Sequence, residues 1–410
     1  MFGVPLLVFF LVLPKGLKMQ IDSEWIKSKS LQNILQILKK ADHNAYLVGG
    51  CVRNSILNFP VNDIDISTDA KPEETLDLFN IGSFSATPTG FSHGTVTVVS
   101  EGIPYQITTM RSDQNTDGRH ADVRFSDNIT KDAERRDFTI NAIYADPTGK
   151  IIDPIGGLKD FQPLRIKFIG NANNRIQEDY LRILRFFRFH AQFSELVADF
   201  ERDALNAIKD NQNGLKFLSK ERVWNELKKI LLSKNPSRTL SEMSKIGVLE
   251  KVLIDQGIKS IKNLISIEQK MGIEPEAIRR LVAITKNTEI TSLNLSRKEV
   301  KKFSLLKSLL RKNSDPAELV YQFDKEIAQS VLAISTFNQG EKLKLINVKK
   351  IEKACLYPCP ISGAHLSKYM SGADVGIKLK EARRAWIKSN FKSNPAKILK
   401  VIGIKTKTHS

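Results

Sequence analysis

The sequence predicts an α+β chain: a small head of mixed strands and helices, then an all-helical body. Three observations carry that expectation. Alternating and short apolar strand patterns crowd the first part of the chain and thin out from about Asn174. Beyond that point apolar residues recur at helical spacing. The charge divides the same way. Of a net +18, residues 201–410 hold 41 Lys+Arg against 21 Asp+Glu, a balance of +20, which leaves the first 200 residues at −2. A neutral head on a basic body suits a catalytic unit joined to a surface for a polyanion, although a generally lysine-rich proteome gives the same total. At 410 residues the chain can hold two or three domains with their own cores. With 41% hydrophobic and 26% charged residues it is neither disordered nor fibrous.

Taken in order, residues 2–13 (FGVPLLVFFLVL) are apolar but too few to span a bilayer. They lack the basic lead and small-residue cleavage site of a signal peptide, and the arginines of a mitochondrial presequence. Met19 follows, so residues 1–18 are expected to be a mis-called start or an extension, and the protein to be cytoplasmic with no membrane association. The head is expected over 19–165, a helical neck over 166–250 and a helical body over 251–410. AYLVG (45–49) reads as a buried strand entering a Gly49-Gly50 turn, CVRNSILN (51–58) as a helix ended by Pro60. DIDIST (63–68) alternates as a half-buried strand does. Pro72 opens a helix with Glu73 and Glu74 in its first turn. GTVTVVS (94–100) and IPYQITTMR (103–111) flank Glu101-Gly102 as an antiparallel hairpin. The polar stretch 112–123 reads as a mobile loop. NRIQEDYLRILRFFRFHAQF follows as a helix, then ERVWNELKKILLS, SRTLSEMSKIG, EAIRRLVAITK, RKEVKKFSLLKSLL, DKEIAQSVLAIST and ADVGIKLKEARRAWIKS. No repeat of fixed period occurs. Cys51, Cys355 and Cys359 form no CxxC pair, which favours a reducing compartment, and six scattered histidines make no zinc constellation.

Three features within the first 190 residues carry chemistry. Gly49-Gly50-x-x-Arg53 sits between a strand and a helix; glycines admit backbone N–H groups to a phosphate, and Arg53 supplies a fork of donors. Alone, such a turn is often only a tight corner. Asp63-x-Asp65 lies on the next strand, where residues i and i+2 share a face. Two converging carboxylates repel unless a cation sits between them, and Mg2+ with phosphate oxygens suits the pair. A DxD alone is common on solvated strand edges, but after a GG-x-x-R turn it has the order of a polymerase-β-like nucleotidyltransferase. Third, Glu178-Asp179-x-x-Arg182-x-x-Arg185-x-x-Arg188 puts Asp179 and Arg182 one helical turn apart. A carboxylate and a guanidinium together can read a base edge; the plainer alternative is a surface ion pair of little worth. Each step of three rotates by about 60°, so Arg188 faces away from Asp179 on a straight helix.

YLVGGCVRNSILNFPVNDIDIST resembles the head motif of the class II tRNA nucleotidyltransferase and bacterial poly(A) polymerase family. KDAERRDFTINAIY (131–144) resembles its second motif, NRIQEDYLRILRFFRFHA (174–191) its base-reading motif, and LSKERVWNELKKIL (218–231) the next helical motif. The likeness runs from about Tyr46 to Leu232 and continues more weakly to the C-terminus. The resemblance implies that Gly49, Gly50 and Arg53 meet the triphosphate and that Asp63 and Asp65 are catalytic and hold Mg2+. It implies that Arg136 and Asp137 contact phosphate and ribose with Asn141 nearby. Asp179 and Arg182 would pair with the incoming base as a protein template, with Arg185 and Arg188 supporting that site. The body would hold the tRNA acceptor end. Some positions depart from the commoner pattern. Asn54 stands where many members carry aspartate, Asn58 where glycine is frequent, and His365 where the tail usually has aspartate. Gln106 stands where a glutamate is usual, which removes a third carboxylate from the expected metal site.

The resemblance thus implies addition of C, C and A to the tRNA 3′ end from CTP and ATP, with no stable protein partner. CC- or A-only addition and poly(A) synthesis are the sister activities. The chain reads EDYLR where the family's poly(A) polymerases typically read EDPVR, and 112–123 is not shortened as in CC-adding members. An inactive RNA-binding protein on the same fold is the alternative from another class. No HD-type phosphohydrolase signature follows the helical body.

Overall fold

The computed structural model describes residues 20–80, 84–114, 122–253, 261–287, 290–312 and 314–404. The apolar segment and proposed start before Met19 lie outside these residues, as does the centre of the polar stretch, 115–121. The chain forms two compact units, one of residues up to Ser219 with Lys245–Lys251, the other of Lys220–Ser244 with Val252 onward.

The first unit is built on a seven-stranded mixed sheet. Its strands are β1 (Ala45–Val48), β2 (Ile64–Thr68), β3 (Ser85–Gly90), β4 (Thr95–Ser100), β5 (Ile103–Thr109), β8 (Tyr144–Ala145) and β9 (Ile151–Ile152), in spatial order β3-β4-β5-β2-β1-β8-β9. Every neighbouring pair is antiparallel except β2 and β5. That parallel pair aligns Asp65 with Gln106, and β1 aligns Val48 with Asp65. The expected hairpin is present. Glu101 and Gly102 both take positive φ, 51° and 79°, the twist that two-residue hairpins favour. Strands β4 and β5 bury Val96, Val98, Tyr105 and Ile107 on one face. Helix α1 (Lys29–Lys40) covers that sheet with Leu31, Ile34, Leu35 and Leu38, a spacing that makes one apolar stripe. Each such side chain adds roughly 1.5–3 kcal/mol when fully buried. Ser30 and Tyr105 hydroxyls bond at 2.6 Å beneath them.

Two local expectations change. The flanks of the polar stretch are strands, β6 (Arg111–Gln114) paired with β7 (Asp122–Phe125), because 111–114 and 122–125 satisfy each other's backbone groups as a ribbon. The helix expected through 174–193 is two helices, α4 (Ala172–Glu178) and α5 (Leu181–Gln192). Asp179 between them is extended, φ −154° and ψ 106°. Helix α5 is apolar around most of its girth, burying Phe186 and Phe189 as well as the expected Ile183, Leu184 and Phe187. Phe186 stacks on Phe168 at 5.7 Å and Phe189 meets Phe138 edge-on at 5.4 Å, so α5 is fastened to the 138 and 168 segments of the head.

The second unit is helical among its described residues. The expected helices appear at Lys220–Leu232, Ala277–Ile284, Arg297–Leu310, Lys325–Gln339 and Ala373–Lys388. Their starts carry the cap signals the sequence displays: Ser296 with Glu299 in a capping box, and Asp324 accepting from the Ile327 N–H at 2.7 Å. His365 does the work of an acidic capping residue: its Nδ1 accepts from the Ser362 N–H at 3.2 Å. No described helix is long and apolar enough to cross a membrane.

At the centre of this unit Glu268 is buried between two buried arginines. Arg279 Nε donates to Oε1 at 2.7 Å, Arg280 Nη2 to Oε2 at 2.7 Å, and Arg280 Nη1 to the Leu231 and Ser233 carbonyls at 2.6 Å. Those carbonyls lie at the end of the Lys220–Leu232 helix, where orphan acceptors need partners. Glu268→Ala leaves two buried guanidinium groups without their counter-charge and is expected to lower stability by about 3–5 kcal/mol. Urea unfolding of the full chain checks this, and a shift below 1 kcal/mol would refute it.

Candidate active site

The first group of site residues lies where β1 meets the helix α2 (Gly50–Ile56). Gly49 takes φ 75° and ψ −122°, a conformation open to glycine and strained for other residues. A Cβ there would stand 3.6 Å from Arg136 Nη1 and 3.7 Å from Asp65 Oδ2. The glycine turn, Asp65 and Arg136 therefore border one another. Asp65 is the second residue of β2, beside Gln106; Asp63, expected on that strand, is exposed just ahead of it. Burial raises the Asp65 carboxyl above its ordinary value; Arg136 opposes the shift and Asp63 adds to it. Among the described residues no group of three or more acidic, His or Cys side chains gathers. The available donors are two carboxylates with an amide, Gln106, in the next strand.

Arg136 is aimed at that turn by a residue to which the sequence reasoning assigned no role. Asp132, on helix α3 (Ile129–Glu134), is fully buried. Its Oδ2 accepts from Arg136 Nη2 at 2.9 Å, Tyr144 OH at 2.7 Å and Ser67 Oγ at 3.2 Å, and its Oδ1 from Arg135 Nε at 2.8 Å. Burial works against this carboxylate, yet Arg136, Arg135 and Tyr144 outweigh it and hold its pKa far below the usual range. Arg136 also donates from Nε to Tyr144 OH at 3.0 Å. The signal was in the sequence: Asp132 stands three and four residues before Arg135 and Arg136, on one helix face.

A second group runs as a chain of hydrogen bonds through the unit. Arg185 Nε donates to Asp137 Oδ2 at 2.7 Å. Asn141 Nδ2 donates to Asp137 Oδ1 at 2.9 Å, and Asn141 Oδ1 accepts from Arg53 Nη1 at 2.6 Å. Arg53 is buried against the Phe189 and Phe193 rings, 5.0 and 5.4 Å from their centroids. Burial, then the like charges of Arg188 and Arg185, brings its guanidinium down to about 10, still charged at neutral pH. Arg188 lies over the same Phe189 ring, 4.0 Å from its centroid. Arg53, Asp137, Asn141, Arg185 and Arg188 are thus one cluster.

Asp179 and Arg182 are near each other in sequence but do different local work. Asp179 Oδ1 accepts from the Leu181 N–H at 3.0 Å, capping α5. Arg182 is held by Glu178, by the Arg175 carbonyl at 2.7 Å and by the Arg135 carbonyl at 3.1 Å. On a continuous helix Asp179 and Glu178, three and four residues back, would both lie beside Arg182; Glu178 makes an ion pair with it here. Glu178 is the residue the base-edge argument missed.

A family model described as the poly A polymerase head domain matches residues 45–167. A second, described as a probable RNA and SrmB-binding site of polymerase A, matches residues 199–257. The mitochondrial CCA tRNA nucleotidyltransferase 1 of Mus musculus is 30% identical over 92% of this chain and 90% of its own. The chain belongs to the CCA tRNA nucleotidyltransferase family. The CCA-adding enzyme of Limosilactobacillus reuteri is 34% identical over 75% of this chain and 74% of its own. Among solved structures, the Bacillus stearothermophilus CCA-adding enzyme in complex with CTP superposes with a TM-score of 0.66 at 26% identity. That superposition covers 88% of this chain and 93% of the other.

Within the family frame, two departures have structural reasons. Asn58 takes φ 56°, the left-handed region that asparagine tolerates best after glycine. Asn54 Oδ1 accepts from Arg53 Nε at 3.1 Å and Nη2 at 2.7 Å, so it holds the guanidinium as an aspartate would, without the charge.

The Asp137 pairing has a pH consequence. Burial would raise this carboxyl, but Arg185 and the Asn141 and Arg185 hydrogen bonds hold it at about 2, against an ordinary 3.8. Because the folded value is depressed, the stabilisation is complete above the ordinary value and is lost as pH falls towards about 2. It amounts to about 2 kcal/mol. The stability gap between the wild type and Asp137→Asn is expected to narrow by that amount between about pH 4 and pH 2, read from urea midpoints. A constant gap would refute the assignment.

Proposed function

We propose that the chain adds C, C and A to the 3′ end of tRNA from CTP and ATP, releasing pyrophosphate. The observation that carries the reading is the meeting of Gly49, Asp65 and Arg136 at one turn, in the same unit as the Arg53–Asn141–Asp137–Arg185 chain. One group suits the reacting phosphate and 3′-hydroxyl, the other the triphosphate and ribose. Gly49 and Gly50 admit phosphate oxygens to the backbone at a helix start. Arg53 and Arg136 neutralise phosphate charge, and Asp137 with Asn141 orients the ribose and Arg53. Asp179 and Arg182 read the incoming base, with Arg185 and Arg188 keeping the pocket positive. For this the Arg182 guanidinium would have to exchange its hold on Glu178 or the Arg175 carbonyl for the base.

Asp63 and Asp65 fit Mg2+. The donors are all oxygen, and the raised Asp65 carboxyl beside Asp63 is a pair that a cation relieves. Bound there, Mg2+ would lower the charge barrier to attack by the 3′-hydroxyl and to pyrophosphate departure. We assign 19–165 to the nucleotidyl-transfer head, 166–250 to base recognition and 251–410 to the tRNA body, whose surplus of lysine and arginine suits backbone contacts. We place the protein in the cytoplasm, a reducing compartment suited to its three free cysteines. The mitochondrial relative names the competing compartment, and cell fractionation separates the two.

The deciding experiment incorporates labelled CTP and ATP, singly and together, into tRNAs ending at the discriminator base, at C and at CC. Ordered addition of C, C and one A is expected. Addition to the CC end alone, or a long A tail, moves the protein to a sister activity. Asp65→Ala should reduce incorporation by at least about 1,000-fold, the scale at which a metal-held charge matters, with tRNA affinity within two-fold or so. Equal loss of tRNA binding would show that the carboxylate is structural. Asp179→Ala should relax the preference for CTP and ATP over UTP and GTP by about 10-fold, as loss of a 1–2 kcal/mol base contact would. An unchanged preference removes it from base reading.

A further inference from the structure

We propose that Asn54 is a positioning residue coupling Arg53 to the loop that carries Asp63, and that the coupling requires an amide rather than a carboxylate. The proposal rests on the functional reading above, in which Arg53 meets the triphosphate and Asp63 the metal.

Asn54 uses both ends of its side chain. Its Oδ1 accepts from Arg53 Nε at 3.1 Å and Nη2 at 2.7 Å, while its Nδ2 donates to the Pro60 carbonyl at 2.8 Å. Asn141 accepts from Arg53 Nη1 at 2.6 Å on the other side. Three of the five guanidinium N–H groups are thereby directed, and two are left for phosphate oxygens. Pro60 stands three residues before Asp63, in the segment that leads from α2 into β2. The same residue holds this segment by its main chain, since the Phe59 N–H donates to the Asn54 carbonyl at 2.8 Å. Phe59 in turn meets Phe193 edge-on at 5.1 Å, and Phe193 lies 5.4 Å from the Arg53 guanidinium. Arg53 and the Asp63 segment are therefore joined through the amide and through the aromatic pair.

An aspartate, which many family members carry here, could accept from Arg53 equally well. It has no hydrogen to give the Pro60 carbonyl, so two oxygen acceptors would face each other across 2.8 Å. The segment would move away, and Asp63 with it. The amide therefore sets where one metal carboxylate stands relative to the arginine that holds the phosphates, and small displacements of reacting groups weigh heavily on rate.

The test compares the wild type with Asn54→Asp and Asn54→Ala on tRNA ending in CC and at the discriminator base. Asn54→Asp should lower kcat about 10-fold with KM for CTP and ATP within about two-fold, because Arg53 keeps its acceptor. Its Mn2+ affinity, read by electron paramagnetic resonance of the free ion, should fall by about the same factor as kcat, while CTP binding without metal is unchanged. Asn54→Ala, which also releases Arg53, should additionally weaken metal-free CTP binding about five-fold, the loss of roughly one charged hydrogen bond. An Asn54→Asp protein with wild-type kcat and Mn2+ affinity overturns the coupling. So does one whose loss lies in CTP affinity alone, since the amide would then act only through Arg53. A wild type that incorporates neither nucleotide overturns the functional reading instead, and the Mn2+ comparison still judges Asn54.

Discussion

Arginines gathered in one unit repel one another, and two buried carboxylates make their gathering tolerable. Asp132 holds Arg135 and Arg136, while Asp137 holds Arg185 and, through Asn141, fixes Arg53. Burial alone would raise both carboxyls; the arginines keep both ionised well below the usual range. Each carboxylate also spans elements. Asp132 ties α3 to β2 through Ser67 and to β8 through Tyr144, and Asp137 ties the head to α5. Removing Asp132 takes the shared carboxylate from two largely buried guanidinium groups at once, a cost of several kcal/mol.

The sheet supplies the precision that this charge arrangement needs. Residues Asp65 and Ser67 share one face of β2, so the strand presents its carboxylate at one end while binding Asp132 at the other. The parallel register with β5 sets Gln106 directly beside Asp65. An amide at that place puts a neutral side chain, not a third carboxylate, beside Asp65. The helical unit shows the same rule: one glutamate, Glu268, between two arginines, with surplus donors spent on the carbonyls of a helix end.

What connects fold to chemistry is the aromatic seam under α5. Phe138, Phe168, Phe186 and Phe189 pack α5 onto the segment that carries Asp137 and Asn141. That packing puts Arg185 and Arg188 within electrostatic reach of Arg53, far away in sequence. Glu178 and the Arg135 carbonyl hold Arg182, which ties the candidate base reader to the end of α3.

By itself the sequence determined the strand–turn–helix around Gly49, the Asp63-x-Asp65 pair, the hairpin over Glu101-Gly102 and most helices of the second unit. Those features are local: alternation, helical spacing, caps and turn residues act over a few positions. Tertiary structure decided which arginine shares which carboxylate, that Asp132 anchors Arg136, that Gln106 stands beside Asp65, and that the helix breaks at Asp179. Asp132 was within reach of its i, i+3 and i, i+4 spacing, but its partners Ser67 and Tyr144 were not. The ribbon at 111–114 and 122–125 escaped because its first strand is polar throughout and each strand is only four residues long. The break at Asp179 escaped because helical periodicity survives a change of direction between two helices. Sheet register and side-chain packing join residues tens of positions apart, and no local pattern records which distant partner will satisfy a buried charge.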